Sequence, residues 1–214
     1  MHYINQEGWA RQEHFNFFKK FGYPHFSLCA NVDVTEFYPI AKRYEISFTV
    51  AIVYIITKAA NAIPEFRHRI RGEAVIEHER VHPGFTILVD DETFTFCQLD
   101  YTEKFSLFAK NAAEKIAYVK ANPTLDSDKG RDDLLFMTAI PWISFTSVMH
   151  PLDLYPADSI PRFAWGKFFN EGDRLKMPLN AQGHHALMDG LHFGKFYKTV
   201  QDYLDQPDLL FDEA

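Results

Sequence analysis

Near the C-terminus, Gln182-Gly183-His184-His185-Ala186-Leu187-Met188-Asp189-Gly190 links two unlike segments. Leu175 to Asn180 before it is mostly apolar and extended in character, whereas Phe193, Phe196, Tyr197, Val200 and Leu204 after it recur at helical spacing. The nine residues therefore lie where a strand hands over to a helix. Two imidazoles, a carboxylate and two glycines, read as flexible hinge positions, are packed together there as nowhere else in the chain. Successive strand residues point to opposite faces, so His184 and His185 cannot both serve one pocket while the strand persists. Only one of them is expected to do chemistry.

Two other readings of this stretch compete. Zinc prefers helical His ligands at i, i+4 or a third His or Cys close by, and neither pattern occurs here. A purely structural pair, each ring satisfied by backbone partners in a core, is the ordinary fate of histidine.

The rest of the chain bounds the possibilities. A length of 214 residues suits one domain, taken as residues 1–214, with room for a sizeable core. A formal charge of −7 argues against nucleic acid as a partner, because phosphate binding wants a basic face. An anionic ligand would need local Lys or Arg. No apolar run reaches the length of a membrane span. Two cysteines, Cys29 and Cys97, with no signal-like N-terminus, suggest a reduced, cytoplasmic protein. Twenty-one Phe and ten Tyr point to a large core, a broad apolar pocket or subunit interfaces.

Periodicity supplies the elements. Trp9 to Phe21 reads as a helix with His14, Phe17, Phe18 and Phe21 on one face. Phe26 to Val34 alternates like a half-buried strand, and Ser47 is placed to cap a helix that Pro64 stops. Ala74 to Val81, Phe85 to Val89 and Thr93 to Leu99 read as strands, with Asp90-Asp91-Glu92 as a hairpin loop. A helix follows from Thr102 to Asn122, then a charged, solvated loop from Asp126 to Asp133. Leu134 to Met149 reads as two strands kinked at Pro141, and Gly166-Lys167 with Glu171 to Leu175 as a strand, a turn and a strand.

The pattern His-His-x-x-x-Asp-Gly resembles the active-site signature of the coenzyme A-dependent acyltransferases, shared with dihydrolipoyl acyltransferase cores and peptide-synthetase condensation domains. Three further stretches narrow the resemblance to the chloramphenicol acetyltransferase family. They are Trp9-Ala10-Arg11-Gln12-Glu13-His14-Phe15 followed by Phe26-Ser27-Leu28, then Ala139 to Ser147, then Gly166-Lys167 with Glu171-Gly172-Asp173-Arg174-Leu175. Together they span most of the chain in similar order and spacing.

The resemblance implies an α/β fold, a two-layer sandwich with a large mixed β-sheet and helices packed on it. It implies acetyl transfer from acetyl-CoA, a co-substrate rather than a bound cofactor, to a hydroxyl of chloramphenicol. His185 would be the general base, Ser147 the oxyanion donor, and Asp189 a structural residue in a buried ion pair with Arg11. Lys167 and Phe168 would lie by the coenzyme A tunnel, and Phe18, Phe26 and Phe94 would wall the acceptor pocket. No metal is implied. The working unit would be a homotrimer with active sites at subunit interfaces. Phe18 stands where many members carry Tyr, and Ala164 where a Thr helps hold water. Those departures leave open another hydroxylated xenobiotic as acceptor, or a trimeric binding homologue without turnover.

Overall fold

The computed structural model describes residues 1–89, 92–125 and 130–210, excluding the side chain of residue 209. A short strand β1 (His2–Tyr3) precedes helix α1 (Gln12–Phe18), strand β2 (His25–Asp33), helices α2 (Phe37–Arg43) and α3 (Phe48–Asn61), and a 3-10 turn at Pro64–Arg67. Strands β3 (His68–Arg71), β4 (Ala74–Glu77), β5 (His82–Leu88) and β6 (Phe94–Gln98) lead to helix α4 (Phe105–Ala121). Strands β7 (Leu134–Ile140), β8 (Arg162–Gly166), β9 (Phe169–Glu171) and β10 (Arg174–His184) then lead to helix α5 (Gly190–Asp205).

Among the described residues the main sheet has seven strands in the order β2-β10-β8-β7-β5-β6, with β9 also on β10. It is mixed: β7 runs parallel to both β5 and β8, and the remaining pairs are antiparallel. A smaller sheet holds β1, β4 and β3. Leu179 and Ala181 of β10, Phe163 and Trp165 of β8, and Met137 of β7 share one buried cluster with Ile52 and Ile56 of α3 and Phe193 and Phe196 of α5. Strand alternation therefore sends Asn180, Gln182 and His184 to the opposite face. This is the mixed two-layer sandwich expected. Among the described residues no helix is long and apolar enough to cross a membrane.

Several sequence expectations shift. Ser47 does cap α3, its hydroxyl accepting from Val50 N at 3.5 Å. Helix α1 is shorter than Trp9 to Phe21, and it buries Phe15 while Phe17 and Phe21 stay exposed. Residues 141–149 are irregular rather than a second strand, their backbone held by scattered contacts instead of a ladder: Lys167 N donates to Ile143 O at 2.8 Å and Cys29 Sγ to Phe145 O at 3.9 Å. Gln182 Oε1 accepts from His150 N at 3.2 Å, and Ser27 Oγ donates to Val148 O at 3.3 Å. Asp132 is an anchor rather than a solvated charge: Arg71 grips both of its oxygens at 2.8 Å, and His78 lies 2.9 Å away. Asp90, Asp91 and residues 126–129 lie outside the described residues.

Candidate active site

Strand β10 runs between the edge strand β2 and β8 and ends at His184, and the next residue leaves the ladder. His184 is paired with His25 across β2 and is buried. Its Nδ1 accepts from Ala186 N at 3.2 Å, and its ring meets that of His25 edge-on at 5.1 Å. Burial, and then the neighbouring His25 and His185 rings, outweigh Asp158 and press the His184 pKa down to about 3. The ring stays neutral and belongs to the fold.

His185 is half-buried in the turn that follows. Its backbone N donates to Pro24 O at 2.8 Å, and its Nδ1 lies 3.1 Å from Met188 O. A carbonyl can only accept, so this contact places the ring proton on Nδ1 and leaves the Nε2 lone pair available. Phe18 stacks on the imidazole at 4.0 Å, 7° from parallel, and Phe26 packs on it at 4.6 Å. Phe26 reaches this place because its register partner on β10 is Gly183.

The same glycine explains the tight turn. A Cβ on Gly183 would stand 2.3 Å from Met188 Sδ, so the residue serves close packing rather than a hinge. Gly190, with no atom near its missing Cβ, opens α5 as an ordinary helical residue. Beneath the turn, Ala186 and Leu187 pack with Phe15 and Val75 in a satellite core.

Asp189 caps α5, its Oδ1 accepting from Leu191 N at 3.1 Å. Its Oδ2 accepts from Arg11 Nη1 at 2.6 Å, and Arg11 Nη2 reaches His185 O at 3.1 Å. Burial pushes the Asp189 carboxyl upward, but donation from Arg11, the fields of His192 and Arg11, and the Leu191 N–H hold it below the ordinary carboxylate range. The Arg11 side chain is 11% exposed and the Asp189 side chain 34%, so the pair is partly buried, and the cost of breaking it is smaller than for a fully buried pair. One guanidinium thus ties α1 to both ends of the His185 turn.

The other sequence-selected residues lie further out. Ser147 is exposed, beside the Val148 carbonyl that anchors residues 141–149 to β2. Lys167 is exposed, its backbone N donating to Ile143 O at 2.8 Å. Phe168 is half-buried against Tyr38 and Phe48, so the helical layer takes part of its ring. Phe94 is 48% exposed on β6, the edge strand, four strand spacings from β10, or roughly 19 Å. One chain does not bring Phe94 to His185. Phe94 instead lines a cavity of about 930 Å³ with Leu88, Phe96, Phe136 and Trp142, and His185 is not part of its wall.

Sequence reasoning missed Glu65 and His192. His192 Nδ1 accepts from Asp189 N at 3.0 Å, and its Nε2 lies 3.3 Å from Glu65 Oε1. The readable signal was a side chain three residues after the helix cap, where Glu or Gln closes a capping box and His does so here. Among the described residues no group of three or more His, Cys, Asp or Glu could hold a metal ion.

A mixed α/β sandwich that presents one half-buried imidazole just beyond strand β10, in a chain whose sequence and fold match known acetyltransferases, is that of a coenzyme A-dependent acetyltransferase. The family model for chloramphenicol acetyltransferase matches residues 1–201. The chloramphenicol acetyltransferase of Klebsiella sp. is 30% identical over 201 residues, covering 92% of this chain and 91% of that protein. That of Proteus mirabilis is 31% identical over 204 residues, covering 95% and 94%. A solved chloramphenicol acetyltransferase structure superposes with a TM-score of 0.84 at 29% identity, covering 94% of this chain and 98% of the other. The chain belongs to the chloramphenicol acetyltransferase family.

Proposed function

We propose that this enzyme transfers acetyl from acetyl-CoA to a hydroxyl of chloramphenicol, by direct attack with His185 as general base. One observation carries the reading: the Nδ1 of a half-buried imidazole is committed to the Met188 carbonyl while Phe18 and Phe26 pack on its ring. An alcohol is a poor nucleophile at neutral pH, and a positioned base that takes its proton during attack is typically worth about 10²–10⁴-fold. His185 Nε2 takes that proton as the hydroxyl oxygen bonds to the thioester carbon, and passes it to the leaving thiolate. No acyl-enzyme forms.

The attacked carbonyl becomes an oxyanion, and a preorganised donor for it is commonly worth about 10²–10³ in rate. Ser147 is assigned that part, supported by the side-chain ties that hold its segment to β2 and β10. Asp189 and Arg11 keep the turn in place. Lys167 and Phe168 are assigned to the coenzyme A side, where an exposed ammonium suits phosphate.

The working unit is a homotrimer in the cytoplasm, where acetyl-CoA is at hand, with active sites between subunits. Phe94 supports this, because a residue walling the acceptor pocket from roughly 19 Å across its own sheet must come from a neighbour. The open apolar cavity around it is a surface such a neighbour could cover.

A thiol-release assay with acetyl-CoA and chloramphenicol, then with other alcohols, tests the reading on wild type and His185→Ala. Turnover with chloramphenicol that vanishes in the variant supports it. Persistent turnover in His185→Ala removes the base, and turnover with other alcohols alone replaces the acceptor.

A further inference from the structure

His185 is only as well oriented as the carbonyl that holds its Nδ1, and that carbonyl belongs to the Met188–Asp189 peptide. The N–H of the same peptide, on Asp189, donates to His192 Nδ1 at 3.0 Å. A peptide unit is planar, so fixing its N–H fixes the direction of its C=O. His192 Nδ1, acting as an acceptor, leaves the ring proton on Nε2, which lies 3.3 Å from Glu65 Oε1. Burial would raise the Glu65 carboxyl, yet donation from His192 and from its own backbone holds it below the ordinary carboxylate range. Glu65 therefore remains an acceptor throughout the working range. It sits on the 3-10 turn after α3, anchored to the core through buried Phe66. The His192 side chain is only 9% exposed, so its ring has few other partners available.

We propose that Glu65 and His192 are positioning residues for the base: they orient the Met188–Asp189 peptide, and through its carbonyl they set the tautomer of His185. This rests on the assignment of His185 as general base. Each hydrogen bond in the line also polarises the next, so an N–H already donating makes its own C=O a stronger acceptor. The core of the molecule thereby reaches the reacting nitrogen without a side chain touching substrate. Arg11, gripping the His185 carbonyl and the Asp189 carboxylate, constrains the turn from the opposite end.

The test combines steady-state kinetics with ¹⁵N-histidine NMR of the full chain. In wild type, His185 should be the Nδ1–H tautomer. In His192→Ala and in Glu65→Ala, part of the His185 population should move to Nε2–H. Their kcat should fall roughly 10-fold, the low end of what losing an outer partner costs a metal-bound imidazole, with both KM values nearly unchanged. His192→Gln and Glu65→Gln should recover most of the loss, because a Gln three residues after the cap can still accept the cap N–H and a Gln at 65 can still accept from the ring. A folded His192→Ala with wild-type kcat and wild-type tautomer overturns the proposal. Should His192→Ala not fold, Glu65→Ala decides by the same two readouts. If wild type transfers no acetyl group, the NMR comparison still supports or overturns the relay, and the loss then falls on the acetyltransferase reading.

Discussion

The Phe18 ring lies face to face with the His185 imidazole, centroids 4.0 Å apart and 7° from parallel. It extends from the end of a seven-residue helix, so a short local element sets the ring plane of the proposed base. Phe18→Tyr keeps the stack and adds a hydroxyl on the acceptor side. One new hydrogen bond is worth about 0.5–1.5 kcal/mol. The KM for chloramphenicol should fall by roughly 2–10-fold, with the KM for acetyl-CoA unchanged. Equal effects on both substrates, or on neither, would take Phe18 out of the acceptor wall.

Stability should be lost on acidification before the carboxylates protonate. His184 is held at about 3 and His150 at about 4, each by burial first, against an ordinary value of 6.5, and His25, His68, His78 and His82 are shifted the same way. For these groups the unfolded chain binds more protons between the ordinary and the folded values, so stability rises with pH across that window. Their contribution is complete above about pH 6.5 and drains away as pH falls toward 4 and then 3. Thermal melts followed by circular dichroism should show Tm declining steadily from about pH 6.5. A flat Tm from pH 7 to 5 would mean that the buried rings are hydrated.

How much of this was readable in the chain depends on whether a residue's partner lies close in sequence. Strand alternation says only that one of the two histidines serves a pocket, and the resemblance singles out His185; the Ser47 cap, α3 and α4 follow from local periodicity. Helix α2 was missed because Pro39 sits in a segment of seven residues, too short for periodicity to outvote a proline. The apolar residues at 142, 143 and 145 mimic a strand, but the carbonyls of Ile143 and Phe145 are held by Lys167 N and Cys29 Sγ, which lie far off in sequence. The same limit hid Glu65, separated from His192 by most of the chain.

Arg11 and Asp189 should be coupled in both stability and rate. Asp189→Asn keeps a competent helix cap but weakens the charged hydrogen bond from Arg11, a contact of about 1.5–3 kcal/mol, toward the low end here because the carboxylate is partly exposed. Arg11→Leu loses this contact and the one to the His185 carbonyl together. A double-mutant cycle by denaturant unfolding should show the double variant less destabilised than the sum of the singles. Strict additivity would mean that the pair carries no shared energy.

Gly183→Ala should damage both the fold and the rate, and Met188 should be the reason. The added Cβ would stand 2.3 Å from Met188 Sδ, 3.1 Å from its Cγ and 3.3 Å from the Phe193 ring. Met188 is fully buried, so its side chain cannot swing clear without moving the turn. Overpacking of this kind typically costs about 1–3 kcal/mol. Because the Met188 carbonyl orients His185, kcat should drop alongside Tm. Met188→Ala on its own opens a cavity, at about 2–5 kcal/mol, while leaving the backbone carbonyl in place. Combined with Gly183→Ala it removes the clashing atoms, so the double variant should be no less stable than Met188→Ala and should recover kcat. If Gly183→Ala alone is as stable and as active as wild type, Met188 has somewhere else to go, and close packing does not explain the glycine.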